Sequence, residues 1–149
     1  MEISYTITVY NELEELEQLL SLLSLCKTNH DEIVIVHTYK DEKEKQTENF
    51  KAIEELCKHV HIYKNYHFQN KFAELKNYLN SFATKEFIIN FDADEFASAD
   101  TVKLWKQVIS ENNNDLYLVP RVNKVRDYTL DDVKKYNWQI NQNGWINWP

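Results

Sequence analysis

Glycine is almost missing from this chain: Gly144 is the one glycine in 149 residues. That scarcity excludes every glycine-rich phosphate cradle, because neither a Walker loop nor a G-x-G-x-x-G turn can be written into the sequence. Any backbone position that needs a positive φ falls instead to Asn or Asp, which tolerate it better than other side chains. The run Asn112-Asn113-Asn114 and the many lone asparagines are candidates for such positions. Cysteine is nearly as rare. Cys26 and Cys57 both lie in apolar helical patterns and are expected to be buried free thiols, as in a reducing compartment. No apolar run reaches the ~20 residues of a membrane span, and Met1-Glu2-Ile3-Ser4 lacks the basic-then-apolar form of a signal peptide. The expected location is cytoplasmic.

Positive charge is also in deficit. Seventeen Lys and Arg face 24 Asp and Glu, a formal net charge of -7. Nucleic-acid binding, which needs a basic surface to displace counterions, is therefore not expected. An anionic ligand would need a metal or a few well-placed cations. A hydrophobic content of 43% with 28% charged residues excludes whole-chain disorder. A chain of this size buries roughly 70% of its unfolded surface, enough for one core. The expectation is a single domain over 1–149, with a ligand-binding core over 3–120 and an aromatic tail over 121–149.

Apolar periodicity alternates between two kinds. Ile3 to Val9 is short and rich in β-branched and aromatic residues, as strands are. Leu13, Leu16, Leu19, Leu20 and Leu23 then follow at helical spacing. Ile33 to Val36 is continuously apolar, as in a strand buried on both faces. A helix with Phe50, Ile53, Leu56 and Cys57 on one side comes next, and Val60 to Tyr63 is predicted as a third strand. Phe72, Leu75, Leu79 and Phe82 define a third helix, and Phe87 to Phe91 a fourth strand. Val102, Trp105, Val108 and Ile109 mark a fourth helix, and Leu116 to Val119 a fifth strand closed by Pro120. Thr129-x-x-Asp132 has capping-box spacing for a short helix. This alternation predicts an α/β layer fold with a mainly parallel sheet flanked by helices.

Ligands of open α/β sheets bind outside the carboxyl ends of the strands. Three such ends carry polar residues: Thr8-Val9-Tyr10-Asn11, His37-Thr38 and Asp92-Ala93-Asp94-Glu95. If these strands are neighbours, the ends form one rim. Three acids in four residues repel one another, and a hard divalent cation, Mn²⁺ or Mg²⁺, is the natural partner of such oxygens. The plainer reading is a solvated acidic turn before a helix starting near Ser98. His59 and His61 alternate and are read as strand-edge residues, too few for zinc. Trp138, Trp145 and Trp148 suit sugar stacking, but such aromatics more often pack a tail onto the domain or make a subunit contact, as in a homodimer.

Phe87 to Glu95 resembles the strand and Asp-Ala-Asp-Glu motif of family 2 glycosyltransferases with the GT-A fold. Tyr5 to Glu12 resembles that family's opening strand and Val-Tyr-Asn-Glu turn. Asn70 to Asn77 is similar to the helix start where the family has Phe-Ala-x-x-Arg-Asn, with Lys76 in place of the arginine. The resemblance covers about 3–120. It implies a metal-dependent, inverting glycosyltransferase that uses a UDP-sugar or similar donor and an acceptor that is a saccharide, lipid or protein. Asp94 is then the main metal ligand and Asp92 assists it or contacts the ribose. Thr8, Tyr10, Asn11 and Thr38 lie near the nucleoside, and Lys71 near the phosphates.

Two departures from the family stand out. His37 and Thr38 occupy positions where many members have two aspartates, which weakens the case for uracil selectivity. The segment that carries the acceptor-side base in inverting members is expected to be missing from this short, minimal form. Glu95 is the substitute named here as catalytic. Asp127, Asp131 and Asp132 are weaker candidates, the last two because acids commonly start helices. A binding module for sugar nucleotides, with little or no transfer, is the alternative. A phosphatase of the haloacid-dehalogenase kind also opens with Asp-x-Asp after an apolar strand, but its motif usually stands near the chain start.

Overall fold

The computed structural model describes residues 1–112, 114–119, 128–143 and 146–147. The chain forms two compact units, Met1–Asn113 and Asn114–Pro149. The first contains β1 (Ile3–Val9), α1 (Leu13–Cys26), β2 (Glu32–Tyr39), α2 (Glu48–Leu56), β3 (Ile62–His67), α3 (Phe72–Asn80), β4 (Phe87–Asp92) and α4 (Ala99–Glu111). The strands make one all-parallel sheet in the order β3-β2-β1-β4. Each strand is followed by a helix because a parallel neighbour can only be reached by a crossover.

The two sheet faces have different partners. Ile3, Tyr5, Ile7 and Val9 of β1 and Ile33 and Ile35 of β2 are buried in one cluster with Leu16, Leu19 and Leu23 of α1, Ile53 of α2 and Val102 of α4. On the opposite face Val34 and Val36 pack against Leu75 and Leu79 of α3. All eight residues of β2 are buried, as its apolar run predicts for an inner strand covered on both sides. The α3 face also buries polar side chains. Glu32 accepts hydrogen bonds from Ser4 Oγ (2.6 Å), the Thr84 amide (2.6 Å) and Thr84 Oγ1 (2.8 Å), clasping the loop before β4 to the sheet.

Helix starts follow local chemistry. Thr47 caps α2 through Phe50 N–H, and Ser98 caps α4 through Thr101 N–H. The second unit holds α5 (Leu130–Lys135), which carries the expected capping box between Thr129 and Asp132. It also holds a two-residue antiparallel ladder of β5 (Gln139–Ile140) and β6 (Ile146–Asn147). The shortage of glycine leaves its mark here, for among the described residues the positive-φ positions are held by Asn70 (φ 60°), before α3, and Asn137 (φ 52°). Asn137 closes α5: its amide donates to Lys134 O and that of Trp138 to Val133 O, so two orphan carbonyls are satisfied.

Four expectations are corrected. Leu116 to Val119 form no strand; Leu116 and Leu118 are 75% and 88% exposed. A strand gains its hydrogen bonds only from a neighbour, and apolar composition alone supplies none. Pro120 lies outside the described residues. The third strand runs Ile62–His67 rather than Val60 to Tyr63, because Val60 ends a short 3-10 turn, Cys57–His59. His59 and His61 therefore share no strand face, and His61 Nδ1 instead accepts the Ile33 amide at 3.0 Å. Phe72, placed by spacing on one helix face with the buried Leu75 and Leu79, is 68% exposed. Cys26 and Cys57 are buried free thiols, as expected.

Candidate functional site

Chain order turns at β1. The sheet grows from β1 through β2 to β3 and then returns to place β4 on β1's other side. At such a switch point the loops leaving neighbouring strands diverge and open a crevice. The crevice is present here, with a cavity volume of about 270 Å³, between the carboxyl ends of β2, β1 and β4 and the start of α3. The three strand ends picked out by sequence thus meet on one rim.

Its polar floor rests on the β1–β4 register. Thr8 and Asp92 are register partners, and Thr8 Oγ1 donates to Asp92 Oδ1 at 2.5 Å. Lys76, one turn into α3, donates to the same carboxylate oxygen at 2.6 Å and to Thr8 Oγ1 at 3.1 Å. Beyond Asp92 the chain turns back. The Glu95 amide donates to Asp92 O at 2.9 Å, and the Asp92 amide donates to Glu95 Oε2 at 2.9 Å. Ala93 stays buried and continues the ladder to Thr8 O, which leaves Asp94 exposed at the turn and on the crevice wall.

The other walls differ in character. Tyr10 donates its hydroxyl to Glu44 Oε1 (2.9 Å), and Lys40 Nζ lies 5.3 Å from its ring centre. The hydrogen bond to Glu44, with some burial, raises the Tyr10 pKa and keeps the phenol protonated. Thr38 is buried and donates to Val9 O at 3.2 Å. Opposite stand Phe68 and Phe72, edge to face with ring centres 4.9 Å apart, and Leu75. One side is therefore apolar and aromatic, while the floor carries both charges.

Sequence reasoning reached most of this lining and misweighted part of it. Thr8, Tyr10, Thr38, Asp92 and Asp94 line the crevice. Asn11 does not; its carbonyl accepts from Leu13 N and Asn49 Nδ2 and so shapes the turn into α1. Lys71 is also outside the lining, exposed and ion-paired with Glu74 at 2.7 Å. The cation on the floor is Lys76, five positions later. Glu95 contributes a carboxylate to the Asp92 turn. Lys40, Glu12, Phe68 and Phe72 were not named as site residues, although Glu12 and Phe72 lie in two of the blocks that carry the family resemblance; Lys40 and Phe68 signalled only by following a strand end. Asp127, Trp145 and Trp148 lie outside the described residues.

Among the described residues no group of three or more His, Cys, Asp or Glu side chains converges as a metal cage. Asp92 and Asp94 offer two carboxylates. Such a pair does not suit a structural ion with an all-protein shell. It does fit Mg²⁺ or Mn²⁺, which are held by one or two carboxylates and complete their shell with water and phosphate oxygens. No helix among the described residues is long and apolar enough to cross a membrane.

A parallel sheet flanked by helices, with an acidic turn at its switch point, defines an α/β protein whose ligand crevice lies at the carboxyl ends of its strands. The model of the family described as "Glycosyl transferase family 2" matches residues 4–146, and the chain belongs to that family. It is a glycosyltransferase domain with the GT-A fold, acting between a nucleotide-sugar donor and an acceptor. The phosphatase reading falls with that assignment. No curated protein and no solved structure matches the chain.

Proposed function

We propose that the crevice between β1, β2 and β4 binds a uridine-diphosphate sugar together with Mn²⁺ or Mg²⁺, and that the sugar passes to an acceptor hydroxyl with inversion. The observation that carries this reading is the Thr8–Asp92–Lys76 cluster, flanked by the exposed Asp94. Asp94 and Asp92 are the residues that would hold the metal. A divalent ion bound there supplies charge neutralisation of the diphosphate and of the departing nucleotide.

The chain's own groups do the rest. Lys76 fixes the Asp92 carboxylate and places a cation beside the phosphate site. Tyr10 and Thr38 present an aromatic ring and a hydroxyl to the nucleoside. Phe68 and Phe72 shield one side from water, which strengthens each charge interaction inside. Saccharide, lipid and protein hydroxyls all remain acceptable to this chemistry.

The test is calorimetric titration of UDP, with GDP as control, into the protein with Mn²⁺ and after chelation. UDP binding that needs the metal, and that weakens by about tenfold or more in Asp94→Asn, supports the reading. Unchanged binding in that variant sinks it.

A further inference from the structure

At the carboxyl end of β1 the backbone ladder runs out. The last register pair with β2 is Val9 and His37. Beyond it, two consecutive side chains of β2 take over the task of satisfying β1's carbonyls. Thr38 Oγ1 donates to Val9 O on one face of the sheet, and on the other His37 Nε2 lies 2.8 Å from Tyr10 O. A carbonyl oxygen can only accept, so Nε2 carries the proton. In a neutral imidazole Nδ1 is then an acceptor. Its partner, 2.7 Å away, is the Tyr63 hydroxyl of β3, which must donate.

The ring has no other freedom. His37 is fully buried and stacks on Phe50 with ring centres 3.8 Å apart. Burial lowers the His37 pKa, and burial raises that of the Tyr63 phenol, so both members stay neutral. Tyr10 is in turn held on every side: its amide donates to Glu12 Oε2 (2.8 Å), its carbonyl accepts from His37, and its hydroxyl binds Glu44. A carboxylate accepts rather than donates, so at position 37 it would take the donor from the Tyr10 carbonyl and at position 38 from the Val9 carbonyl.

We propose that His37 is a positioning residue for the nucleotide crevice, fixed as its Nε2–H tautomer by the Tyr10 carbonyl, braced at Nδ1 by Tyr63, and holding Tyr10 at the rim. This rests on the proposed role of Tyr10 at the nucleoside. The residue acts through Tyr10 and touches no substrate.

Two measurements test it separately. The first is the long-range nitrogen–proton correlation spectrum of the ligand-free protein, which reports the tautomer whether or not nucleotide binds. A pure Nε2–H pattern that persists in Tyr63→Phe is expected, because the Tyr10 carbonyl still requires a donor; a mixed or Nδ1–H pattern in the native protein overturns the proposal. The second is UDP affinity with Mn²⁺ for His37→Gln and His37→Asn, with thermal melting of each. The glutamine amide nitrogen reaches the place of Nε2, whereas that of asparagine reaches only Nδ1. His37→Gln should keep affinity within about threefold and His37→Asn should lose about tenfold or more, one hydrogen bond's worth. Equal affinities for two variants of similar melting temperature would reduce His37 to packing and overturn the proposal. If the native protein binds no UDP at all, the nucleotide reading fails while the spectrum still decides the tautomer lock.

Discussion

Thr8 and Asp92 stand opposite each other in the β1–β4 register, 84 residues apart in sequence, and share a 2.5 Å hydrogen bond on the floor of the crevice. Lys76 bonds to both, so the Asp92 carboxylate enters the site already oriented and partly neutralised.

Removing that cation should act on ligand binding far more than on stability. The Lys76 and Asp92 side chains are 34% and 46% exposed, and ion pairs so open to solvent contribute little to folding. Lys76→Met is expected to lower metal-dependent UDP affinity by about tenfold while melting close to the native protein. Lys76→Arg should retain most of the affinity. Calorimetry and a melting curve on the same preparations check both statements.

Glu95 lends an oxygen to the Asp92 amide, and glutamine offers an oxygen in the same place. Glu95→Gln should therefore keep nucleotide affinity, while Glu95→Ala loosens the turn and weakens it by roughly tenfold. Transfer from labelled donor reads the catalytic assignment at the same position. A general base contributes typically about 10²–10⁴-fold, so a fall of that size in Glu95→Gln at unchanged affinity makes Glu95 the base. Full transfer in that variant removes it from the mechanism.

Far from the crevice, Lys106 of α4 donates to Asp31 Oδ2 at 2.6 Å and to Cys26 O at 3.1 Å. The Asp31 side chain is 1% exposed, and the same carboxylate accepts the amides of Ile3 and Thr28. Lys106→Met would leave a buried carboxylate without its cation. Such a loss costs about 3 kcal/mol or more, measurable as a lowered denaturant midpoint with an unchanged slope.

Acid should unfold the protein through the start of β2. Burial by itself would raise the pKa of both Asp31 and Glu32, yet it is outweighed. Lys106 and the amides of Thr28 and Ile3 lower that of Asp31, and Ser4 and Thr84 lower that of Glu32. Groups depressed in the folded state contribute stability that is complete above their unfolded values, near about 4, and is lost as pH falls through the folded ones. Stability measured by urea titration should be flat near neutrality and decline below about pH 4 to 5. Glu32→Gln should flatten part of that decline.

The alternation of β1, α1, β2, α2, α3, β4 and α4 was legible because apolar spacing encodes which side of a helix or strand faces a core. So were the capping box at Thr129 and the use of Asn where φ is positive, both matters of one or two residues' chemistry. The acidic turn was legible too, since Asp92, Asp94 and Glu95 are neighbours in the chain. Phe72 misled by the same logic. Its helical spacing matches Leu75 and Leu79, but α3 covers the sheet only from its second turn, and its first turn borders the crevice. Leu116 to Val119 have strand composition but no ladder partner among the described residues.

What the sequence alone determined is therefore the parts: the order of strands and helices, the ends at which polar residues collect, and the family that the chain joins. Tertiary structure decided which side chains meet. Lys76 rather than Lys71 reaches Asp92, and His37 joins Tyr63 to the Tyr10 carbonyl. Those partnerships depend on sheet order and register, which the packing of the whole core selects, and no local pattern carries that information.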